Sequence, residues 1–441
     1  MRKFSIYILS VFMATSALFA SCAKEGYQGG ESSLMQSEIV AGLDSDSRAV
    51  QRLAEEVASA MGVQDGGVGQ PLGDRTVSAV IPIQLNGEAI RTAGYSPEAV
   101  PAFFAVNYAP GGYSIVSSAH GESSLWAFFP DGQFSPQKMA ECPPLCLLME
   151  RAVEMSVEKA GPRYPPAHRI GDEDDTIFEP YVEESRNLEM TNERMEPLLP
   201  VVWGQGYPYN AKVAPSPAGC VATAMAQVLA YYRKPAKWDW AKLRKHHPKE
   251  HSGVNAPEAY SELADLFQDL GQLVDMKYGA SVSNADPKLI PPALVGLGFS
   301  SGGILRDLDY ARVKGELSAG HPVIAGGFSH HEVRSHGIWP FDWEEDLYSG
   351  GHAFVLDGWC VFRRRVDVYR KMGGGKRKKE RSFCVYKELV HVNMGWDDPW
   401  CNGYFYCGLF DTEHMPYPDR PTSGRRPSYE YLLKALEGVR P

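Results

Sequence analysis

Hydrolysis of an amide by a thiol needs four parts: a thiolate, a histidine to move its proton, a side chain to orient that histidine, and donors for the oxyanion. Residues of each type occur in the second half of this 441-residue chain. Cys220 stands in Ala218-Gly219-Cys220-Val221-Ala222-Thr223-Ala224, at the mouth of a predicted helix that runs to Tyr232 and closes before Pro235. Pro215, Pro217 and Gly219 force a loop in front of it. A thiol there faces unsatisfied N–H groups and the positive end of the helix dipole, which favours thiolate. Taken alone, the same cysteine reads first as a buried structural thiol. His352 follows Gly350 and Gly351 and opens an apolar strand, where glycines leave room for a substrate backbone. Asn393 carries an amide able to fix the tautomer of an imidazole, and Gln205 lies on a loop upstream, where its amide would join the Cys220 N–H as an oxyanion donor.

The other histidines fit blander roles. His246, His247 and His251 read as satisfied or solvent-facing side chains, while His330, His331 and His336 crowd a loop before His352 and raise a metal cluster as an alternative. No Cys-x-x-Cys or His-Glu-x-x-His spacing supports a metal, so neither metal nor cofactor is expected.

The elements that must position these residues are those of an α+β protein. Ser47 to Met61 has helical spacing, and Thr76 to Leu85, Ala102 to Tyr108, Tyr113 to Ser117 and Ser124 to Phe129 read as strands with turns at Pro110-Gly111-Gly112 and Pro130-Asp131-Gly132. Leu145 to Ala160 follows as an amphipathic helix. No catalytic constellation lies in this first unit. From Gly161 to about Pro197 the pattern dissolves into prolines and charges, an expected exposed linker of the kind proteases cut. In the second half, predicted helices at 219–232, 260–270 and 310–319 precede strands at 322–325, 353–356, 382–386, 390–393 and 403–406. Helices first and strands later would place the site between two lobes. Ten Lys and Arg between Arg363 and Arg381, around Gly373-Gly374-Gly375, predict a basic hairpin, with contact to an anionic surface or substrate as the sharper reading.

Bulk composition narrows the class. A net charge of −10 argues against nucleic acid as a partner. Arg2 and Lys3 precede an apolar run from Phe4 to Phe19 and then Ala20-Ser21-Cys22, which predicts an export signal over 1–22. The cysteine after small residues resembles a bacterial lipobox with lipid attached at Cys22, a plainly cleaved signal and an uncleaved anchor being the alternatives. The expected location is therefore secreted, or on the cell surface as an outer-membrane lipoprotein.

Five blocks, in order, resemble one family. They are Trp203-Gly204-Gln205-Gly206-Tyr207-Pro208-Tyr209-Asn210, Gly219-Cys220-Val221-Ala222-Thr223-Ala224-Met225-Ala226-Gln227, Met276-Lys277-Tyr278-Gly279, Gly351-His352-Ala353-Phe354-Val355-Leu356-Asp357-Gly358 and His391-Val392-Asn393-Met394-Gly395-Trp396. Together they look like the streptopain family of papain-like cysteine peptidases. The separation 352 − 220 = 132 also falls within the roughly 130–150 residues of papain-type enzymes. The resemblance implies a papain-like two-lobed catalytic domain over 198–441, an inhibitory pro-domain over 23–160 and an activation linker over 161–197, cut between about Arg169 and Met195. It implies Cys220 as nucleophile, His352 as base, Gln205 on the oxyanion side and Asn393 orienting the histidine. Ser283, Gly351 and Trp396 fall at or near positions that shape the substrate cleft, and Trp396 matches an aromatic beside the histidine. The expected partners are protein or peptide substrates and the chain's own pro-domain.

The sequence departs from the family at Met394, where Trp is usual, and at Asp397-Asp398-Pro399-Trp400-Cys401 in place of a glycine-rich run. These departures keep two alternatives open: a degenerate binding or inhibitor protein, and a papain-like amidase of cell-wall peptides. Apart from Cys22 and Cys220, the cysteines fall into the sequence pairs Cys142/Cys146, Cys401/Cys407 and Cys360/Cys384, either disulfides in an oxidising compartment or free core thiols.

Overall fold

The computed structural model describes residues 45–62, 75–83, 102–119, 122–140, 181–246, 256–336, 343–372, 376–410, 424–425 and 431–441, with single positions between 142 and 156. The export segment with Cys22, the tether to about residue 45, residues 161–180 of the expected linker, and the glycine tip 373–375 lie outside the described residues. No helix among the described residues is long and apolar enough to cross a membrane.

In chain order the elements are α1 (Ser45–Gly62), β1 (Thr76–Ile83), β2 (Ala102–Ala109), β3 (Tyr113–Ala119), β4 (Glu122–Phe129), α2 (Pro136–Ala140) and β5 (Tyr181–Met195). Next come α3 (Cys220–Tyr232), α4 (Trp240–Leu243), α5 (Tyr260–Leu273), α6 (Ile290–Gly296), β6 (Ser301–Asp307) and α7 (Tyr310–Ser318). The chain ends with β7 (Val323–His336), β8 (Trp343–Lys371), β9 (Arg377–Asn393), β10 (Gly403–Tyr406), β11 (Gly424–Arg425) and β12 (Tyr431–Arg440). The class is α+β, as the sequence predicts.

All the strands join one antiparallel sheet in the order β1-β2-β3-β4-β10-β9-β8-β7-β12-β6, with β11 on β7 and β5 on β8. The first four strands are therefore not a separate sheet: β4 pairs with β10 through Phe128 opposite Tyr404 and Ala127 opposite Phe405. One face of the sheet carries a single apolar cluster that takes Phe103, Tyr113 and Phe129 from the first half and Phe354, Met394 and Phe405 from the second. The other face carries two clusters side by side. Helix α3 covers Ile324, Ala353 and Val355 at one end, and α1 covers Val106, Phe128, Cys360 and Phe362 at the other.

A bulge explains how odd positions 353 and 355 share a face with even positions 360 and 362. Successive strand side chains alternate between faces, and one extra residue inverts the count. The register between β8 and β9 shifts from Leu356 opposite Val392 to Gly358 opposite His391, leaving Asp357 as the extra residue. Its buried carboxylate accepts from His391 Nδ1 at 2.5 Å and from the Leu199 N–H at 2.9 Å, and its carbonyl accepts from the Leu198 N–H at 2.8 Å. The bulge is thus the point where the segment leading to the nucleophile is fastened to the sheet.

Two expectations change. Residues 181–195 of the expected linker form β5, paired with β8 from Tyr181 opposite Arg370 to Met195 opposite Trp359. Its charges hide no strand periodicity because the neighbouring strand, rather than an apolar face, holds it: Arg363 pairs with Glu189, while Leu188 and Met190 pack under α1. The strands expected at 382–386 and 390–393 are one continuous β9, which forms the basic hairpin with β8.

Candidate active site

Gly219 sets the entry to α3. Its φ of 95° lies in the region that favours glycine, and a Cβ there would sit 2.6 Å from Met276 Cε. No side chain caps the helix, so its first N–H groups stay oriented toward the Cys220 end. Residues Val221 to Ala230 are all buried, which makes α3 a central helix rather than an amphipathic one. The loop ahead is braced at two points: the Ser283 hydroxyl donates to the Pro217 carbonyl at 2.7 Å, and the Ala218 N–H donates to the Gln205 carbonyl at 2.8 Å.

His352 sits on β8 opposite Gly327 of β7. The next residue of β7, Gly326, has no room for a side chain, since a Cβ would meet the His352 carbonyl at 2.7 Å. The half-buried Cys220 takes a hydrogen bond at its thiol from the Ala353 backbone, which places the sulfur beside the residue adjoining His352. His352 Nε2 lies 2.9 Å from the Met394 carbonyl. A carbonyl only accepts, so Nε2 carries the proton and a neutral ring keeps its lone pair on Nδ1.

Burial dominates the electrostatics. It pushes the Cys220 thiol up, against backbone N–H groups of Ala353, Val221 and Cys220 itself that pull it down. It pushes His352 down to about 4, outweighing the hydrogen bond to Met394 that favours the proton. In this state thiol and imidazole are both neutral at pH 7.

Asn393 does not orient His352 directly. Its Oδ1 accepts from the Gly395 N–H at 3.0 Å and its Nδ2 donates to the Val201 carbonyl at 3.2 Å, so both ends of the amide are committed to backbone. The amide instead shapes the turn whose middle residue offers the Met394 carbonyl. The Met394 side chain faces away into the shared apolar cluster, and its N–H donates to Asn402 Oδ1 at 2.8 Å. The aromatic neighbour of the imidazole is Trp396, half-buried with its ring 5.7 Å away and nearly edge-on.

Of the other expected site residues, Gln205 lies beside the cysteine loop through its backbone, and Ser283 braces that loop from beneath. Gly351 is exposed within β8, opposite Phe328. The side chains of His330, His331 and His336 lie outside the described residues, as do His247 and His251. Buried His246 gives its carbonyl to the Trp203 indole at 3.0 Å.

Several supporting residues gave no functional signal in the sequence. Gln227, a polar residue in an otherwise apolar helix, accepts from the Trp203 N–H at 3.1 Å, and its Nε2 has no partner. A Cβ on Gly395 would sit 3.7 Å from that nitrogen and 3.0 Å from a Thr223 methyl. Asp397, at φ 58°, accepts from the Tyr209 hydroxyl at 2.5 Å, and a Cβ on Gly204 would strike its Cβ at 2.4 Å. The departure at Asp397 is therefore a working lock between the first and last blocks. The Cys360/Cys384 pairing is ruled out by register: Cys360 faces Leu389 and Cys384 faces Arg365, five residues apart along β8. At about 3.3 Å per residue that is far beyond disulfide reach.

Residues 203–405 match the model of the Peptidase C10 family. A search of curated proteins finds no match. Among solved structures, the chain is similar to a fragment of prointerpain A from Prevotella intermedia carrying a cysteine-to-alanine mutation. That match has 19% identity and a TM-score of 0.48, covering 82% of this chain and 99% of that one. Over residues 203–405 the chain carries a domain of Peptidase C10, the streptopain family of cysteine-type peptidases.

Proposed function

We propose that the chain is a cysteine endopeptidase made as an inactive precursor, exported by residues 1–22 and held at the cell surface of a bacterium through lipid on Cys22. The observation that carries the catalytic reading is the thiol at an uncapped helix start, hydrogen-bonded by the backbone of Ala353, the residue that follows a neutral histidine whose Nε2 proton is fixed. Nδ1 takes the Cys220 proton, and the thiolate attacks the peptide carbonyl. The Cys220 N–H and the Gln205 amide hold the oxyanion, and the Met394 carbonyl stabilises the imidazolium through Nε2–H. The imidazolium returns its proton to the leaving amine. Water, deprotonated by the same nitrogen, then releases the acyl group and restores the thiol.

Residues 23–160 act as the inhibitory partner, and the linker 161–197 contains the maturation cut, between about Arg169 and Met195. The shared apolar cluster and the β4–β10 pairing support this reading, because they hold the first half against the strands that carry His352 and Met394. Substrates are unfolded or loop segments of proteins. The test is casein hydrolysis by the matured chain beside Cys220→Ala, with N-terminal sequencing of the active form. Activity should vanish in the variant, and the active form should begin between about Arg169 and Met195; undiminished hydrolysis by Cys220→Ala would overturn the reading.

A further inference from the structure

Two thiols that the proposed chemistry does not use lie together inside the molecule. Cys142 comes from the first half, just beyond α2, and Cys401 ends the short turn Pro399–Cys401 before β10. Both are fully buried in the same apolar cluster, among Tyr113, Met139, Trp400 and Phe405. The Cys142 thiol is hydrogen-bonded to the Cys401 thiol. Backbone contacts fix both sides of this meeting. The Cys142 N–H donates to the Met139 carbonyl at 3.1 Å, and its own carbonyl accepts from the Leu145 N–H at 3.0 Å. Opposite, the Tyr113 hydroxyl donates to the Trp400 carbonyl at 2.9 Å, and Cys401 Sγ lies 3.3 Å from the Asp398 carbonyl.

Two thiols in hydrogen-bond contact already have their sulfurs next to one another, the first requirement for a disulfide. We propose that Cys142 and Cys401 form a disulfide when the chain folds in an oxidising compartment, in place of the Cys142/Cys146 and Cys401/Cys407 pairs that proximity in sequence suggests. The oxidant is a disulfide donor, either a small-molecule disulfide or an oxidised dithiol oxidoreductase. The Cys142 thiolate attacks one donor sulfur and expels the other as a thiolate, giving a mixed disulfide. The Cys401 thiolate then attacks the Cys142 sulfur and expels the remaining donor thiol. The two protein thiols lose two protons and two electrons, and the donor gains them as two thiols. Because both sulfurs are enclosed in the finished core, exchange takes place before that core closes.

The bond joins residues on opposite sides of the segment 161–197. On the precursor reading given above, a cut there leaves the first half covalently attached until a reductant releases it. The disulfide itself does not depend on that reading.

The test uses the full chain with Cys220→Ala, refolded with oxidised glutathione, capped with N-ethylmaleimide and digested without reduction for mass spectrometry. A linked peptide containing Cys142 and Cys401, lost on reduction, is expected. Recovery of both cysteines capped, or linked to Cys146 and Cys407, would overturn the proposal. Cys401→Ser and Cys142→Ser, made separately in case one fails to fold, should each leave the opposite cysteine open to capping. After an added protease cuts within 161–180, the two pieces should travel together in non-reducing denaturing electrophoresis and separate in either serine variant. Separation in the parent refutes the link. No step reads proteolysis by the chain itself, so failure here is distinct from failure of the peptidase reading.

Discussion

Strands β8 and β9 carry the candidate site near one end of their pairing and the basic hairpin at the other, and the two ends treat polar groups in opposite ways. At the site end His352, Asp357, His391 and Asn393 are all buried, each with a hydrogen-bond partner at a defined atom. At the hairpin end residues 376–386 are exposed and their charges reach solvent, with one exception: the carboxylate of Asp367 is buried and takes Arg365, Lys379 and the Ser382 hydroxyl. A buried polar group that loses its partner costs about 1–3 kcal/mol, whereas an exposed ion pair is screened to about 1 kcal/mol or less. The same two strands thus support a place where one atom matters and, Asp367 apart, a surface where charge is dispensable one residue at a time. The hairpin charges have a plainer use. Strand β9 meets β10 only from Leu389 to Val392, so its outer edge from Arg377 to Glu388 has no neighbouring strand among the described residues. Lysine and arginine on such an edge discourage pairing with another chain.

The contrast breaks first at His352. Replacing it with glutamine keeps a polar side chain but removes the base, and kcat should fall about 100- to 10,000-fold in a peptide assay. If the fall is under tenfold, His352 does not move the proton.

The same residue should govern acid stability. Its value of about 4 in the fold lies below the ordinary histidine value of about 6.5. The unfolded chain therefore binds the proton first as pH drops, and stability present above pH 6.5 is lost progressively toward pH 4. The size is about 3 kcal/mol, and little further loss from this group follows below pH 4. Urea unfolding of the wild type and His352→Gln at pH 7, 5.5 and 4 checks this, because only the difference between them isolates the histidine from carboxylates titrating in the same range.

How much of this was legible follows the same division. Cys220 and His352 could be singled out because type and spacing survive in the sequence, whereas the backbone partners that Asn393 takes in place of the imidazole could not; α3 was readable because Pro215, Gly219 and Pro235 punctuate it. The Met394 carbonyl as a partner of His352 was not, since a backbone carbonyl has no letter: Met394 reads only as a departure from the usual Trp until the fold turns its side chain inward and its carbonyl toward the ring. The bulge at Asp357 was equally hidden. It inverts the alternation inside an apolar run, where no period is visible. Strand β5 escaped because a backbone ladder to β8 holds it while its side chains are largely charged, and such stretches look the same whether paired or free. The contact between Cys142 and Cys401 joins residues far apart in the chain, which sequence proximity ranks last.

The Tyr209–Asp397 lock, a buried hydroxyl on a half-buried carboxylate, tests a position between the two extremes. Burial, and then the carboxylate itself, hold the Tyr209 hydroxyl well above its usual range, so it remains a donor throughout the working pH range. Tyr209→Phe removes that donor while keeping the ring among Trp203 and Phe267. A loss of about 1–2 kcal/mol in urea unfolding is expected. No change would mean that Asp397 is held by its other contacts alone.

The smallest effects belong to the hairpin, and there the two neighbouring arginines should separate. Arg364 pairs with Glu56 of α1, both largely shielded from water, whereas Arg363 pairs with Glu189 of β5 at the surface. Arg364→Ala should cost about 1 kcal/mol, at the upper end for such pairs, because it also bares part of Glu56. It should loosen α1, seen as faster amide exchange between Val50 and Ala60. Arg363→Ala should change neither quantity measurably. Equal effects from both would mean that the hairpin acts through its overall charge. A selective effect at Arg364 would instead show that its ion pair with Glu56 adds to the packing of Phe362 under α1, which ties the hairpin to retention of the N-terminal region rather than to the reacting groups.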